Sequence, residues 1–388
     1  MRTPPSVLVQ HKDQLYSLTH RHLFLIGWAY YLLTPLTLGH LGMFARDDLN
    51  YLDKYFDPKS PWWGSLIWFT ALCAFAYWVG SNWRAVPTPR RLPQESIRPK
   101  AGAWSLVLVY AGLLVVFSIQ ARAQLFAGYT DSMDLSLAGP ISTLEMLILY
   151  QYLYEKSRHR TTSSYFGLLL ILTSLILLGM GGRLYVLSAG VAVYFQWWNW
   201  RAESRRSQVQ SILLLIFAVM AMLLLGMWRV GSTDYSTIGF FLVAESIFTS
   251  ISSFSLFTGG TWQPWDYPKD FLSAFINIIP STIWPDKGNL LIQLIDTKIA
   301  FDSPFGALNI ITSTIGNFGY IGGLLFFLFV GAYMTTWSRF RNAPACEAHY
   351  CYLVGLLPFM FFRDPFQVQV KVVITGLILY WLTRLINK

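Results

Sequence analysis

Apolar residues run along most of this chain in unbroken stretches long enough to span a bilayer as helices, separated by short polar clusters rich in arginine and lysine. Such runs neither alternate with period two nor keep to one helical stripe. They predict helices that are apolar all round, for which a hydrocarbon layer is the natural solvent. The runs extend over Leu23–Phe44, Trp62–Asn82, Gly102–Ala121, Leu135–Tyr154, Ser163–Gly181, Arg183–Trp200, Val209–Trp228, Tyr320–Trp337, His349–Phe362 and Gln367–Ile386. A further stretch, Ile238–Phe257, has the length but carries Glu245 and a half rich in serine and threonine.

The basic residues orient these runs, because lysine and arginine accumulate in cytoplasmic loops. With the amino terminus inside, Arg2, Lys12, Arg21, Arg84, Arg90, Arg91, Arg98, Lys100, Lys156, Arg158, Arg160, Arg201, Arg205, Arg206, Arg339, Arg341, Arg384 and Lys388 all fall on one side. Both halves of the chain agree only if 229–319 begins and ends outside. Ile238–Phe257 is therefore expected to be re-entrant, interfacial or a broken pair rather than a single crossing. The pattern predicts an all-α polytopic integral membrane protein of about ten spans with both termini cytoplasmic. Its parts are a membrane bundle over 1–228, a large outer loop over 229–319 and the last spans over 320–388. Within the loop, Pro268–Trp284 mixes Phe271, Leu272, Phe275 and Ile276 with Lys269 and Asp270, which predicts amphipathic helices on the outer surface.

Composition narrows the function classes. Of 388 residues, 54% are hydrophobic and only 13% charged, against about a quarter charged in soluble domains, which excludes a soluble enzyme and a disordered tail. A net charge of +9 resides mainly in the loops just named, so it reports topology and not a nucleic-acid partner. Three cysteines, one of them (Cys73) inside an apolar run, make no disulfide framework. No internal repeat is visible, which argues against the repeat-built transporters.

The informative cations are those the topology rule would keep off the outer side. Arg122 follows the third run, Arg183 opens the sixth after Gly181–Gly182, Arg229 follows the seventh, Arg363 precedes the last, and Lys371 lies inside it. Cations at a membrane edge are costly and face a cavity or a partner. Together they predict a converging anion site, and arginine forks match phosphate oxygens, with two or more needed to hold a pyrophosphate. Gly179, Gly181 and Gly182 would let backbone N–H groups at the following helix start approach the same anion.

At three places the residues resemble the Wzy-type O-antigen polymerases, also called oligosaccharide repeat unit polymerases. These are Gly179-Met180-Gly181-Gly182-Arg183, the stretch Ile279-Pro280-Ser281-Thr282-Ile283-Trp284-Pro285-Asp286-Lys287, and Ile315-Gly316-Asn317-Phe318-Gly319-Tyr320-Ile321-Gly322. Phe362-Arg363-Asp364 resembles the family's late outward arginine, although the family has a small residue where Asp364 stands, which here would permit an ion pair. The resemblance implies a GT-C-like fold and a metal-independent, cofactor-free inverting glycosyltransferase at the periplasmic face of the bacterial inner membrane. Its substrates would be undecaprenyl-pyrophosphate-linked oligosaccharides, joined into O-antigen or a related surface polysaccharide in lipopolysaccharide biosynthesis. A chain-length regulator protein and membrane lipid are the further partners it implies.

In that reading Arg122, Arg183, Arg229, Lys287, Arg363 and Lys371 bind diphosphate, and Arg183 also acts in catalysis. Glu245 is the first candidate for the base, being a carboxylate in an outward, non-crossing apolar segment where burial would poise it to take a proton. Asp286, Asp266 and His40 follow it. Glu145, in the middle of a run, reads as a structural carboxylate with a partner, and His349 with Cys346 and Cys351 as core residues. A lipid-linked-glycan flippase, or a ligase moving the glycan to lipid A core, remains open on the residues alone.

Overall fold

A computed structural model of the chain describes residues 18–43, 56, 59–83, 102–122, 125, 138–201, 209–210, 213, 220, 224, 238–259, 264–279, 283–284, 286–287, 290 and 308–386. The described residues are helical, with no strand among them. In order they form α1 (His20–Trp28), a π-helical turn (Ala29–Leu33), α2 (Thr34–His40), α3 (Pro61–Ser81), α4 (Gly102–Ala121), α5 (Ala138–Ser157), α6 (Thr162–Met180) and α7 (Arg183–Arg201). They continue with α8 (Ile238–Thr258), α9 (Lys269–Asn277), α10 (Ile310–Arg339), α11 (Pro344–Leu356), α12 (Met360–Arg363) and α13 (Phe366–Ile386). Five helices, α3, α4, α6, α10 and α13, are long and apolar enough to cross a membrane. Trp68 and Leu108 are more than 70% exposed on two of them, as side chains facing lipid would be. The protein is thus all-α with a membrane character; most of Val209–Trp228 lies outside the described residues.

Proline explains where the helices depart from the simple runs. Pro35 lacks the N–H that would bond the Tyr31 carbonyl and crowds that carbonyl. The chain responds with the π turn over Ala29–Leu33, in which the Thr34 N–H bonds Ala29 O. The Tyr31 carbonyl is instead satisfied by the Ser250 hydroxyl at 2.8 Å. The expected single span His349–Phe362 is likewise interrupted: α11 ends at Leu356, α12 begins at Met360, and Pro358 lies in the break. The expected span Tyr320–Trp337 is the C-terminal part of a longer helix, α10, which kinks at Gly319, where φ is 71°. Only glycine adopts that backbone without strain.

The core gathers around Phe24, which stacks on Tyr77 at 3.6 Å between ring centres and meets Phe327, Phe361 and Phe362 at 5.3–6.2 Å. Helices α3 and α10 cross closely because Gly80 lies against the Leu328 carbonyl and Gly331 against the Tyr77 carbonyl, leaving no room for a Cβ. Small residues at such a crossing gain dispersion contacts where no hydrophobic force drives apolar helices together. Helix α8 is one unbroken helix, so the broken-pair alternative for Ile238–Phe257 is not what forms. Its hydroxyl-rich half is buried all round, with Ser252 Oγ accepting from Asn309 N at 3.0 Å and Thr312 Oγ1 at 3.2 Å.

The two ends of the bundle carry different chemistry. At one end Arg21 donates to Ser81 O, Arg339 to Trp83 O at 2.9 Å, and Arg341 lies over the rings of Phe195 and Tyr350. The turn between α6 and α7, Glu245 and Arg363 belong to the other. The expected loop-side basic residues Arg21, Arg339 and Arg341 are thus grouped apart from the unusual arginines.

Candidate functional site

The arginine-bearing turn is a helix stop followed at once by a helix start. Gly181 takes the left-handed conformation (φ 90°) that closes α6, with Gly182 N bonding Leu177 O at 2.7 Å and Gly181 N bonding Leu178 O at 3.1 Å. Arg183 is thereby the first residue of α7, and Tyr185 follows it on the first turn. The other arginine comes from 180 residues further along the chain: α12 ends on Arg363, and its backbone carbonyl accepts from Leu308 N at 3.1 Å, just ahead of α10.

Arg363 is held from two directions. Its Nε donates to Glu245 Oε1 from α8, and its Nη1 donates to Asp364 Oδ1 at 3.1 Å. The Asp364 side chain is 8% exposed and Glu245 45% exposed. Burial pushes the Asp364 carboxyl up to about 6, against the opposing pull of the Arg363 guanidinium. The exposure of Glu245 corrects the expectation that its apolar segment would bury it: Glu245 sits at the open side of the ion pair, because the buried face of α8 is the serine and threonine face that follows.

Three tyrosines join the two arginines into one site. Tyr30, displaced by the π turn, donates its hydroxyl to Leu242 O at 2.8 Å and lies within electrostatic reach of both Glu245 and Arg183. Tyr31 lies within reach of Glu245, Arg363 and Asp364. Tyr185 lies within reach of Asp364, Arg363 and Glu145. The structure therefore brings Arg183, Glu245, Arg363 and Asp364 together around Tyr30, Tyr31 and Tyr185, from four helical elements distant in sequence. None of the tyrosines was expected; the signal that could have found the first two is Pro35 inside the first run.

Other expected residues do not join this group. Arg122 is exposed just past the end of α4, beside Ala121, which packs with Ile141, Leu177 and Met180 close to the α6–α7 turn. Arg229 lies outside the described residues. Lys287 is buried and folds back on α9, donating to Asn277 O at 3.3 Å and to Ile279 O. Burial pulls its ammonium below the usual lysine range. Lys371 is partly buried and within reach of Lys287. Asp286 and His40 are exposed, and Asp266 accepts from its neighbour Tyr267 N at 2.7 Å. Glu145 is fully buried and accepts from Ser174 Oγ at 2.6 Å, the partnered carboxylate expected of it.

Asn317, in the motif Asn-Phe-Gly, docks α9 beside this end of the bundle. Its Oδ1 accepts from Phe271 N at 2.9 Å, one of the donors the first turn of α9 leaves without a helical partner, while its Nδ2 donates to Ser313 O and to Asp270 Oδ2. Asp270 is buried, and desolvation raises its carboxyl above the usual range. Gln367 completes the junction by donating to Ser273 Oγ at 2.8 Å. Of the expected amphipathic helices over Pro268–Trp284, the described residues form α9 over Lys269–Asn277, with Asp270 and Ser273 turned toward the bundle beside Phe271 and Ala274, and Leu272 and Phe275 turned outward.

Chemically, the site offers two guanidinium groups, one accessible carboxylate paired to one of them, and phenols within reach of both. Among the described residues no group of three histidines, cysteines, aspartates or glutamates is placed to hold a metal ion. No family model, curated protein or solved structure matches the chain.

Proposed function

We propose that this protein is a membrane-embedded, inverting glycosyltransferase of GT-C-like architecture with about ten spans. It would polymerise undecaprenyl-pyrophosphate-linked oligosaccharide units at the periplasmic face of the bacterial inner membrane. The observation that carries the reading is the meeting of Arg183, Arg363 and Glu245 at the end of the bundle opposite Arg21, Arg339 and Arg341.

In the reaction, a sugar hydroxyl oxygen of the incoming lipid-linked unit attacks the anomeric carbon of the growing chain. The bond from that carbon to the diphosphate oxygen breaks, the new glycosidic bond forms, and the hydroxyl proton passes to Glu245. Undecaprenyl diphosphate leaves with the electron pair of the broken bond. Arg183 and Arg363 hold the diphosphate and offset the charge that develops on it, the electrostatic part of catalysis. Glu245 is available as a base once the diphosphate has taken its place on Arg363, so donor binding and base release are one event. Its exposure gives an acceptor hydroxyl access that a buried carboxylate would deny.

The test is polymerisation in detergent with a synthetic undecaprenyl-diphosphate oligosaccharide, read as a ladder on gels, with Arg183→Ala, Arg363→Ala and Glu245→Gln alongside. The reading expects a ladder from the wild type, and loss of about 100-fold or more in rate for Glu245→Gln. A ladder of undiminished rate in all three variants overturns it. Product formed only when lipid A core is added assigns a ligase instead.

A further inference from the structure

The outward-facing lysines belong to a place of their own. Along α13, Gln369 turns toward the arginine site, donating to Phe361 O at 3.0 Å and to Asp364 O. Lys371 is two residues further on, about 200° around the helix, and therefore faces away from Arg363. It shares a face with Gln367, one turn earlier, which holds α9 through Ser273 and accepts from Asn277 Nδ2 at 3.4 Å. Lys287 comes to this same junction with its ammonium on the carbonyls of Asn277, the last residue of α9, and of Ile279 just beyond it.

Two features of this junction point to a ligand. The ammonium of Lys287 has three protons and uses two on Asn277 O and Ile279 O, which leaves one to donate. Lys371 repels Lys287, and among the described residues no acid pairs with either; Asp286 beside Lys287 is exposed, and Asp270 on α9 is occupied by Asn317. The second feature is the exposed apolar side of α9. Leu272 and Phe275 are 40% and 50% exposed, and Ile283 and Trp284, just ahead of Lys287 in the chain, are exposed as well. Cations beside an apolar face at the membrane edge match a molecule with a phosphate head and a hydrocarbon tail.

We infer that Lys287 and Lys371, with the outward face of α9, form a binding site for a lipid phosphate, separate from the Arg183–Arg363 site. The lysines take the phosphate oxygens, and Leu272 and Phe275 lie along the first part of the tail. The inference goes beyond the proposed transfer reaction, and its experiment reads binding without turnover.

The experiment is native mass spectrometry of the full chain in detergent, titrated in parallel with undecaprenyl phosphate and with phosphatidylglycerol. The variants are Lys287→Gln with Lys371→Gln, Lys287→Arg with Lys371→Arg, and Arg363→Ala. At a contribution of about fivefold per lysine, the glutamine pair binds the preferred lipid roughly 30-fold more weakly. The arginine pair binds it as the wild type does, and Arg363→Ala leaves the binding of phosphatidylglycerol unchanged. Preference for one lipid over the other says which phosphate the site takes. Unchanged binding of both lipids by the glutamine pair overturns the site, as does loss of binding in the arginine pair. Equal loss of phosphatidylglycerol binding in Arg363→Ala overturns its separateness, and displacement by equimolar inorganic phosphate overturns the part of the tail.

Discussion

Replacing Arg363 with alanine should destabilise the protein in a manner that depends on pH, and the dependence follows from Asp364. That carboxyl is buried, with its acidity shifted from the ordinary 3.8 up to about 6 while Arg363 is in place. A folded-state value raised above the unfolded one means that stability is highest below the unfolded value and declines as pH rises toward the folded one. At pH 7.5 the wild type therefore carries a burden of about 3 kcal/mol from this group, at about 1.36 kcal/mol per unit. Without Arg363 the carboxyl stays protonated to higher pH, and the burden approaches about 5 kcal/mol. The difference, about 2 kcal/mol at pH 7.5, vanishes near pH 5, where both proteins hold the proton. Glu245 adds little, because its half-exposed side of the pair is screened by solvent. Thermal or SDS-titrated unfolding in detergent at both pH values is the assay, with Arg363→Ala/Asp364→Asn as the partner variant. A penalty that is the same at pH 5 and pH 7.5, or one that Asp364→Asn fails to relieve, refutes the reasoning. The double variant is also the clean background for the polymerisation assay, since loss of activity there cannot come from an unpaired Asp364.

Gly331→Ala should destabilise by about 1–3 kcal/mol, despite the roughly 1 kcal/mol that alanine gains in a helix, because the new methyl meets the Tyr77 carbonyl. Gly112→Ala, where nothing lies within 4 Å, should be neutral or slightly stabilising; unfolding midpoints of the two variants compare them directly. Asn317→Asp should weaken the docking of α9 by about 2 kcal/mol at neutral pH by placing a second carboxylate beside buried Asp270. The loss should shrink as the pH falls and one of the carboxyls takes a proton, and limited proteolysis around α9 reads it; cleavage unchanged from the wild type at neutral pH counts against the junction.

Much of the helical plan was legible because apolar runs need no partner to announce themselves. Trp62–Asn82, Gly102–Ala121 and Ser163–Gly181 correspond within a residue or two to α3, α4 and α6. Arg183 and Arg363 were legible as cations in an unfavourable place, and Glu245 as a carboxylate in an apolar segment. What escaped was three-dimensional. Nothing local to Tyr30 tells that Glu245, more than 200 residues away, will lie beside it. The prolines at 35 and 358 were visible, but the consequence of the first depends on a hydroxyl donated by Ser250 across a sequence separation of 219. The direction in which α9 faces was hidden for the same reason: the hydrogen bonds of Asn317 and Gln367, with Phe271 packed on Phe318 and Phe366, determine which side the bundle claims.

The π-helical turn carries a consequence for the way this chain tolerates length changes. A π turn amounts to one residue more than an α-helix needs between two fixed ends. Deleting a residue between Ala29 and Leu33 would return the first helix to regular winding, yet it could satisfy only one of its two anchors at a time. With His20 kept on Tyr350, every residue beyond the deletion rotates by about 100° relative to α8. With Tyr31 kept on Ser250, the mismatch passes to the His20 end instead. The first helix thus acts as a ruler between the two ends of the bundle, and its surplus residue sets the phase between them.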